Sequence, residues 1–108
     1  MMDLIDEEYQ EIGKQIAFYL FKEDPICINF TYNEDEYEPE AATIVVRLSK
    51  FEAPVSVHEV LDVVHEEFKN WFNSDTLVGP RMKYLDIAVY IKEMWNEFKE
   101  KQQISRNQ

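Results

Sequence analysis

The chain has 108 residues, 45% of them apolar and fifteen aromatic, and carries a net charge of −11. That length and composition fit one domain with a proper core and argue against wholesale disorder. The negative charge argues against a nucleic-acid partner, whose phosphates reward Lys and Arg, and against docking on anionic lipid.

Residues 3–22 have the pattern of an amphipathic helix. Ile5, Tyr9, Ile12, Ile16 and Leu20 recur at spacings of three and four, which places them on one stripe. Asp3, Asp6, Glu7 and Glu8 suit the positive end of the helix dipole and Lys22 the negative end. Asp24-Pro25 stops the helix, because the residue before proline avoids the α region.

Residues 26–38 form a connection with extended character, since Ile26, Ile28, Phe30 and Tyr32 alternate with Cys27, Asn29 and Thr31. Residues 39–51 are ambiguous. As a helix, Pro39 takes the first turn and Ala41, Ile44, Val45, Leu48 and Phe51 share a face. As a strand, Thr43-Ile44-Val45-Val46 has high β-propensity, and 42–48 could pair with 26–32 as a hairpin. Pro39-Glu40-Ala41-Ala42 is a good helix start and a poor strand start, so helix is favoured.

Residues 56–73 carry the clearest helical signature: Ser56 and Glu59 make a capping box, ahead of an apolar face of Val57, Val60, Leu61, Val64, Phe68, Trp71 and Phe72. A second long helix over 80–101 opens at Gly79-Pro80, with a main stripe of Tyr84, Ile87, Ala88, Ile91, Trp95 and Phe98. Met82, Leu85 and Val89 form a shorter stripe, which is either extra core or, if exposed, a dimer or partner contact. Residues 102–108 have the polar composition of a frayed tail. The expected architecture is all-α: a single domain over 1–101, a small irregular four-helix bundle with an extended segment before the second helix. The alternative is α+β, with the hairpin at 26–32/42–48.

Two glycines and four prolines are too few for an all-β fold with many tight hairpins. No stretch approaches the ~18 apolar residues of a membrane span, and the start has no basic n-region ahead of an apolar one. The lone Cys27 cannot form an internal disulfide, which fits a reducing compartment. These features predict a soluble, cytoplasmic protein.

Charge is where the chain is most uneven. Residues 1–40 hold twelve acids against two lysines, a net of −10, and five of the seven residues from Glu34 to Glu40 are acids. Carboxylates this close repel one another unless they are well solvated or meet a cation. The candidate partner-binding set is Asp24, Glu34, Asp35, Glu36, Glu38 and Glu40, with Tyr37 as an aromatic anchor. Calcium ligation by the same carboxylates is the competing possibility, but the run lacks the alternating D-x-D-x-D-G spacing and a glycine to wrap the loop.

His58, Asp62, His65 and Glu66 share a side of the 56–73 helix. The two imidazoles lie two turns apart, about 10.5 Å, too far to grip one ion unaided. A solvated polar face is the simpler account. Cys27, between Ile26 and Ile28, has the setting of a small buried hydrophobe, not of a nucleophile with its base. No catalytic spacing occurs, so no enzyme activity and no cofactor are expected.

Three motifs stand out together: Asp24-Pro25-Ile26, the run Asn33 to Glu40, and Glu66-Glu67-Phe68-x-x-Trp71-Phe72, followed by Gly79-Pro80 and Tyr84. On these the chain resembles the YugE-like small bacterial proteins of unknown function, over roughly residues 20–98. The resemblance implies a small, mainly helical fold and no known activity. The functional expectation is a non-catalytic protein-binding module, immunity- or antitoxin-like, docking its acidic segment on a basic partner such as a toxin. The alternatives are a metal-binding or metal-dependent protein using the carboxylates, and a structural homo-oligomer.

Overall fold

Four long helices form a closed ring, each packing on the next. In the computed structural model, which describes residues 7–23, 37–52 and 54–106, they are α1 (Glu7–Glu23), α2 (Glu38–Leu48), α3 (Val57–Phe72) and, after a one-turn α4 (Asp75–Val78), α5 (Leu85–Arg106). Among the described residues α1 packs on α2, α2 on α3, α3 on α5 and α5 back on α1, with no contact across either diagonal. The α5–α1 seam is the lightest of the four. The fold is therefore the all-α bundle expected, and the hairpin is excluded because 42–48 lie inside α2.

Each helix forms for a reason visible in its residues. Ile12, Ile16 and Leu20 of α1 are buried together with Ala17, so burial of one stripe drives the helix more than propensity does. In α2, Pro39 sits in the first turn with Glu38 and Glu40, and Arg47 in the last, each matching the local dipole. Its buried side is Ala41, Ile44, Val45 and Leu48. At α3 both capping-box bonds are made: Glu59 N–H donates to Ser56 Oγ at 3.1 Å, and Ser56 N–H to Glu59 Oε1 at 2.9 Å. Asn73, in the left-handed region at φ 48°, ends the helix.

Between α3 and α5 the chain departs from the expected single helix over 80–101. Ser74 caps the short α4, accepting from Leu77 N–H. Gly79 then turns the backbone at φ 77°, and a 3₁₀ turn over Arg81–Tyr84 precedes α5. Side chains hold this corner. Tyr84 Oη donates to Val78 O at 2.5 Å, Lys83 Nζ donates to Leu77 O at 3.3 Å, and His65 Nε2 lies 3.1 Å from Gly79 O. At its far end α5 runs on to Arg106, so residues 102–106 are helix, not a frayed tail. Gln102 is buried there and accepts from Lys99 Nζ at 2.9 Å. The segment before α5's partner helix is pinned too: Asn96 accepts from Val55 N–H at 2.8 Å and donates to Val55 O at 3.0 Å.

Two aromatic groups fill the core. Phe68 touches Tyr37, Phe72 and Tyr84 with ring centroids 5.2–6.0 Å apart, and Trp95 stacks on Tyr9 and tilts against Phe98. Such pairs contribute roughly 0.5–1.5 kcal/mol each beyond their area burial. Trp71, assigned by its spacing to the core, is instead 47% exposed, and its indole N–H donates to Thr43 Oγ1 at 3.1 Å. It lies on the flank where α3 meets α2, so its ring edges the seam between them.

Candidate functional site

Of the seven expected partner-binding residues, Asp24, Glu34, Asp35 and Glu36 lie outside the described residues, as does Cys27. The other three separate sharply. Glu38 is exposed in the first turn of α2. Tyr37 has no accessible surface and stacks on Phe68, centroids 6.0 Å apart. Its carbonyl accepts the first bond of α2, from Ala41 N–H at 3.0 Å. Tyr37 is thus a core residue at a helix cap and not an interface anchor, because an aromatic ring gains more from apolar contact than from water. Glu40 is buried as well, at 5% exposure, and cannot serve as a docking contact.

Other acids of the first forty residues lie on α1. Glu7, Glu11, Glu23 and Glu38 are exposed, and none of them takes part in an ion pair among the described residues. In the second half, four of the ten carboxylates are ion-paired (Asp62, Glu66, Glu67 and Glu97), while Glu52, Glu59, Asp75, Asp86, Glu93 and Glu100 are in no ion pair among the described residues. Arg47 donates from Nη2 to Glu66 Oε1 at 2.8 Å and from Nη1 to Glu67 Oε2 at 3.2 Å, joining α2 to α3. The hydrogen bond to Glu66, chiefly, raises the Arg47 pKa above its already high value, so its charge is permanent. Arg81 Nε donates to Asp62 Oδ1 at 2.7 Å and fastens the 3₁₀ turn to α3.

These bonds engage most of the polar face of α3. Asp62 is held by Arg81, Glu66 by Arg47 and His65 at the Gly79 carbonyl, while His58 is exposed at the start of α3. Among the described residues no three His, Cys, Asp or Glu side chains gather as a metal site would require. Tyr84, sealed in the core, has its pKa pushed up to about 12 by burial, which fits a structural hydroxyl and not a proton donor at neutral pH.

Concave surface occurs elsewhere, including along the α1–α5 seam. Two open hollows of about 380 and 500 Å³ run end to end there and share Glu11 and Gln15. One is floored by Ile12, Met94 and Phe98; the other is walled by Phe18, Tyr19 and Tyr90. Tyr19 and Tyr90 stack at 3.8 Å between centroids, and Lys22 Nζ sits 5.6 Å from the Phe18 ring centroid. Phe18 and Tyr90 are 47% and 44% exposed. Sequence reading passed over all three rings, although Phe18 and Tyr90 both fall off the core stripes of their helices, which is the available signal. The Met82–Leu85–Val89 stripe is also open, with Met82 58% and Val89 38% exposed.

No protein-family model matches the chain, nor does any curated protein or solved structure.

Proposed function

We propose that the chain is a non-catalytic protein-binding module, immunity- or antitoxin-like, which docks an acidic surface on a basic partner. The observation that carries this reading is the concentration of negative charge in the first forty residues, a net of −10 out of −11. Its densest part is the run from Glu34 to Glu40, where Glu38 is exposed and has no ion-pair partner among the described residues. Unmatched like charges on one third of a chain raise the local potential and speed encounter with a cationic protein by 10–10³-fold at low salt. Glu38 belongs to the proposed contact, with Asp24, Glu34, Asp35 and Glu36 as its extension along the chain. The single cysteine fits a cytoplasmic setting.

The test compares the immobilised chain with its E34Q/D35N/E36Q/E38Q variant in capture from lysate of the source cells at about 50 and 300 mM salt. A basic protein retained at low salt, released at high salt and lost with the amide variant is the expected result. Equal capture by both forms overturns the proposal. Thermal midpoints that do not move on adding Ca²⁺, Mg²⁺ or Zn²⁺ are expected alongside, since a ligand that binds only the folded chain raises its stability.

A further inference from the structure

The outer face of α1 alternates charge in an order that suits one partner above others. Glu7, Glu11, Lys14, Phe18 and Lys22 follow at spacings of three and four, so they share a stripe, with acids toward the N-terminal end and lysines toward the C-terminal end. Four of them, Glu11, Lys14, Phe18 and Lys22, line the upper hollow of the α1–α5 seam beside Tyr90. We propose that this face seats a second copy of the chain, α1 against α1 in antiparallel, about a two-fold axis.

The geometry follows from the spacing. Glu11 and Lys22 are eleven residues apart, about 16 Å along the axis. A two-fold placed midway between them sets Glu11 opposite Lys22 of the second copy, and Lys22 opposite its Glu11. The same axis brings Phe18 over Gln15 of the second copy, with the two Phe18 rings adjacent at the centre. Lys14 then arrives at the Tyr19–Tyr90 stack. Glu23 and Asp86 border that point, close enough to help raise the Tyr19 pKa, which burial raises most.

Charge selects this occupant. The two hollows present three lysines (Lys14, Lys22, Lys101) against two glutamates (Glu11, Glu97), and with Glu23 and Asp86 at the border the strip is close to neutral on a chain of net charge −11. Copies of so acidic a protein repel one another least through such a strip. A uniformly basic partner would meet Lys14 and Lys22, and a uniformly acidic one would meet Glu11. A partner with both signs in reversed order fits, and two-fold symmetry makes the chain its own such partner. Neither Lys14 nor Lys22 is engaged in an ion pair among the described residues. With Phe18 and Tyr90 as the main apolar contacts, the interface belongs to the small, weak class.

Sedimentation equilibrium from about 10 to 500 µM tests this, across the range where weak dimers dissociate. The expected result is a mass rising toward twice the 13.0 kDa chain, and rising further with moderate salt as net repulsion is screened. That salt response is opposite in sign to the one expected for a basic partner, so the two proposals stand or fall separately. E11K and K22E are both surface changes. Net charge alone predicts that E11K strengthens association and K22E weakens it; paired contacts predict that each weakens it at least tenfold. An equimolar mixture of the two variants, which restores both cross pairs, should recover a heterodimer, and the E11K/K22E double variant should recover a homodimer. A chain monomeric throughout overturns the proposal, as does failure of the mixture to recover. Disruption by Met82→Glu or Val89→Glu but not by either charge reversal would also overturn it, by moving the interface to the other stripe.

Discussion

Replacing Arg47 by methionine removes a guanidinium that bridges α2 and α3, and the damage should fall on Glu67 much more than on Glu66. The Glu67 side chain is only 10% exposed and the Glu66 side chain 50%. A buried carboxylate deprived of its charged donor costs about 1–3 kcal/mol, whereas an exposed ion pair contributes at most about 1 kcal/mol and commonly less. Together these give a loss of about 2–3 kcal/mol for Arg47→Met, or a thermal midpoint lower by roughly 10–20 °C for a domain of this size. Glu66→Gln should cost under about 0.5 kcal/mol. The double variant R47M/E67L should regain most of the loss, because replacing a buried pair by apolar side chains is often neutral or better. Urea unfolding at pH 7, followed by circular dichroism, measures all three. If Arg47→Met costs no more than Glu66→Gln, Glu67 reaches water unaided and the account of the α2–α3 clamp fails.

Two glycines should respond in opposite directions to alanine. At Gly13 a new Cβ would stand 3.7 Å from Val45 Cγ2, an ordinary contact, so Gly13→Ala should stabilise by about 0.5–1 kcal/mol through helix propensity. Gly79 has φ 77° and a Cβ there would lie 3.0 Å from Lys83 Cδ, so Gly79→Ala should destabilise by about 1–3 kcal/mol; equal midpoints for the two variants would contradict this. Tyr84 sets an alkaline limit: its folded pKa of about 12 exceeds the ordinary 10.0, so the unfolded chain loses its proton first. Its contribution is whole below pH 10 and declines by about 1.4 kcal/mol per unit between pH 10 and about 12, a slope that Tyr84→Phe should reduce in unfolding curves at those pH values. Asn96→Ala breaks both bonds to Val55 and should cost about 1–3 kcal/mol, with faster amide exchange at Val55 as the local readout.

What the sequence disclosed about this fold was what short-range patterns encode. Ser56 and Glu59 announce the start of α3 three residues apart, and Pro39 announces α2; both are local, and both helices are where those residues place them. Long-range partners were not legible. Glu67 sits among apolar neighbours on α3, and nothing near it reveals that Arg47, twenty residues away, makes its burial tolerable. Tyr37 is the converse: five neighbouring acids give it the composition of a surface, while the turn into α2 aims its ring at Phe68. Gly79-Pro80 marks a real break, but the 3₁₀ turn that delays α5 to Leu85 depends on Asp62 gripping Arg81 and Val78 accepting from Tyr84. Polar composition likewise suggested an end at residue 101, where hydrogen bonding carries α5 to Arg106.

The charge order along α1 has two possible causes, and they predict different things. Acids at the start of a helix and lysine at its end suit the macrodipole, so Glu7 and Lys22 have a folding rationale that needs no partner. Glu11, a full turn further in, lies largely beyond the dipole's reach, yet it borders both hollows of the seam. Reversing Lys22 should lower α1 stability by about 0.3–1 kcal/mol whatever else it does, and adding E11K should not restore that loss. Association behaves otherwise, since the second reversal restores the cross pairs between copies. A double variant that melts a few degrees lower than the parent but associates as well as it does separates the two causes; one that melts lower and stays monomeric leaves the dipole as the whole reason for the pattern.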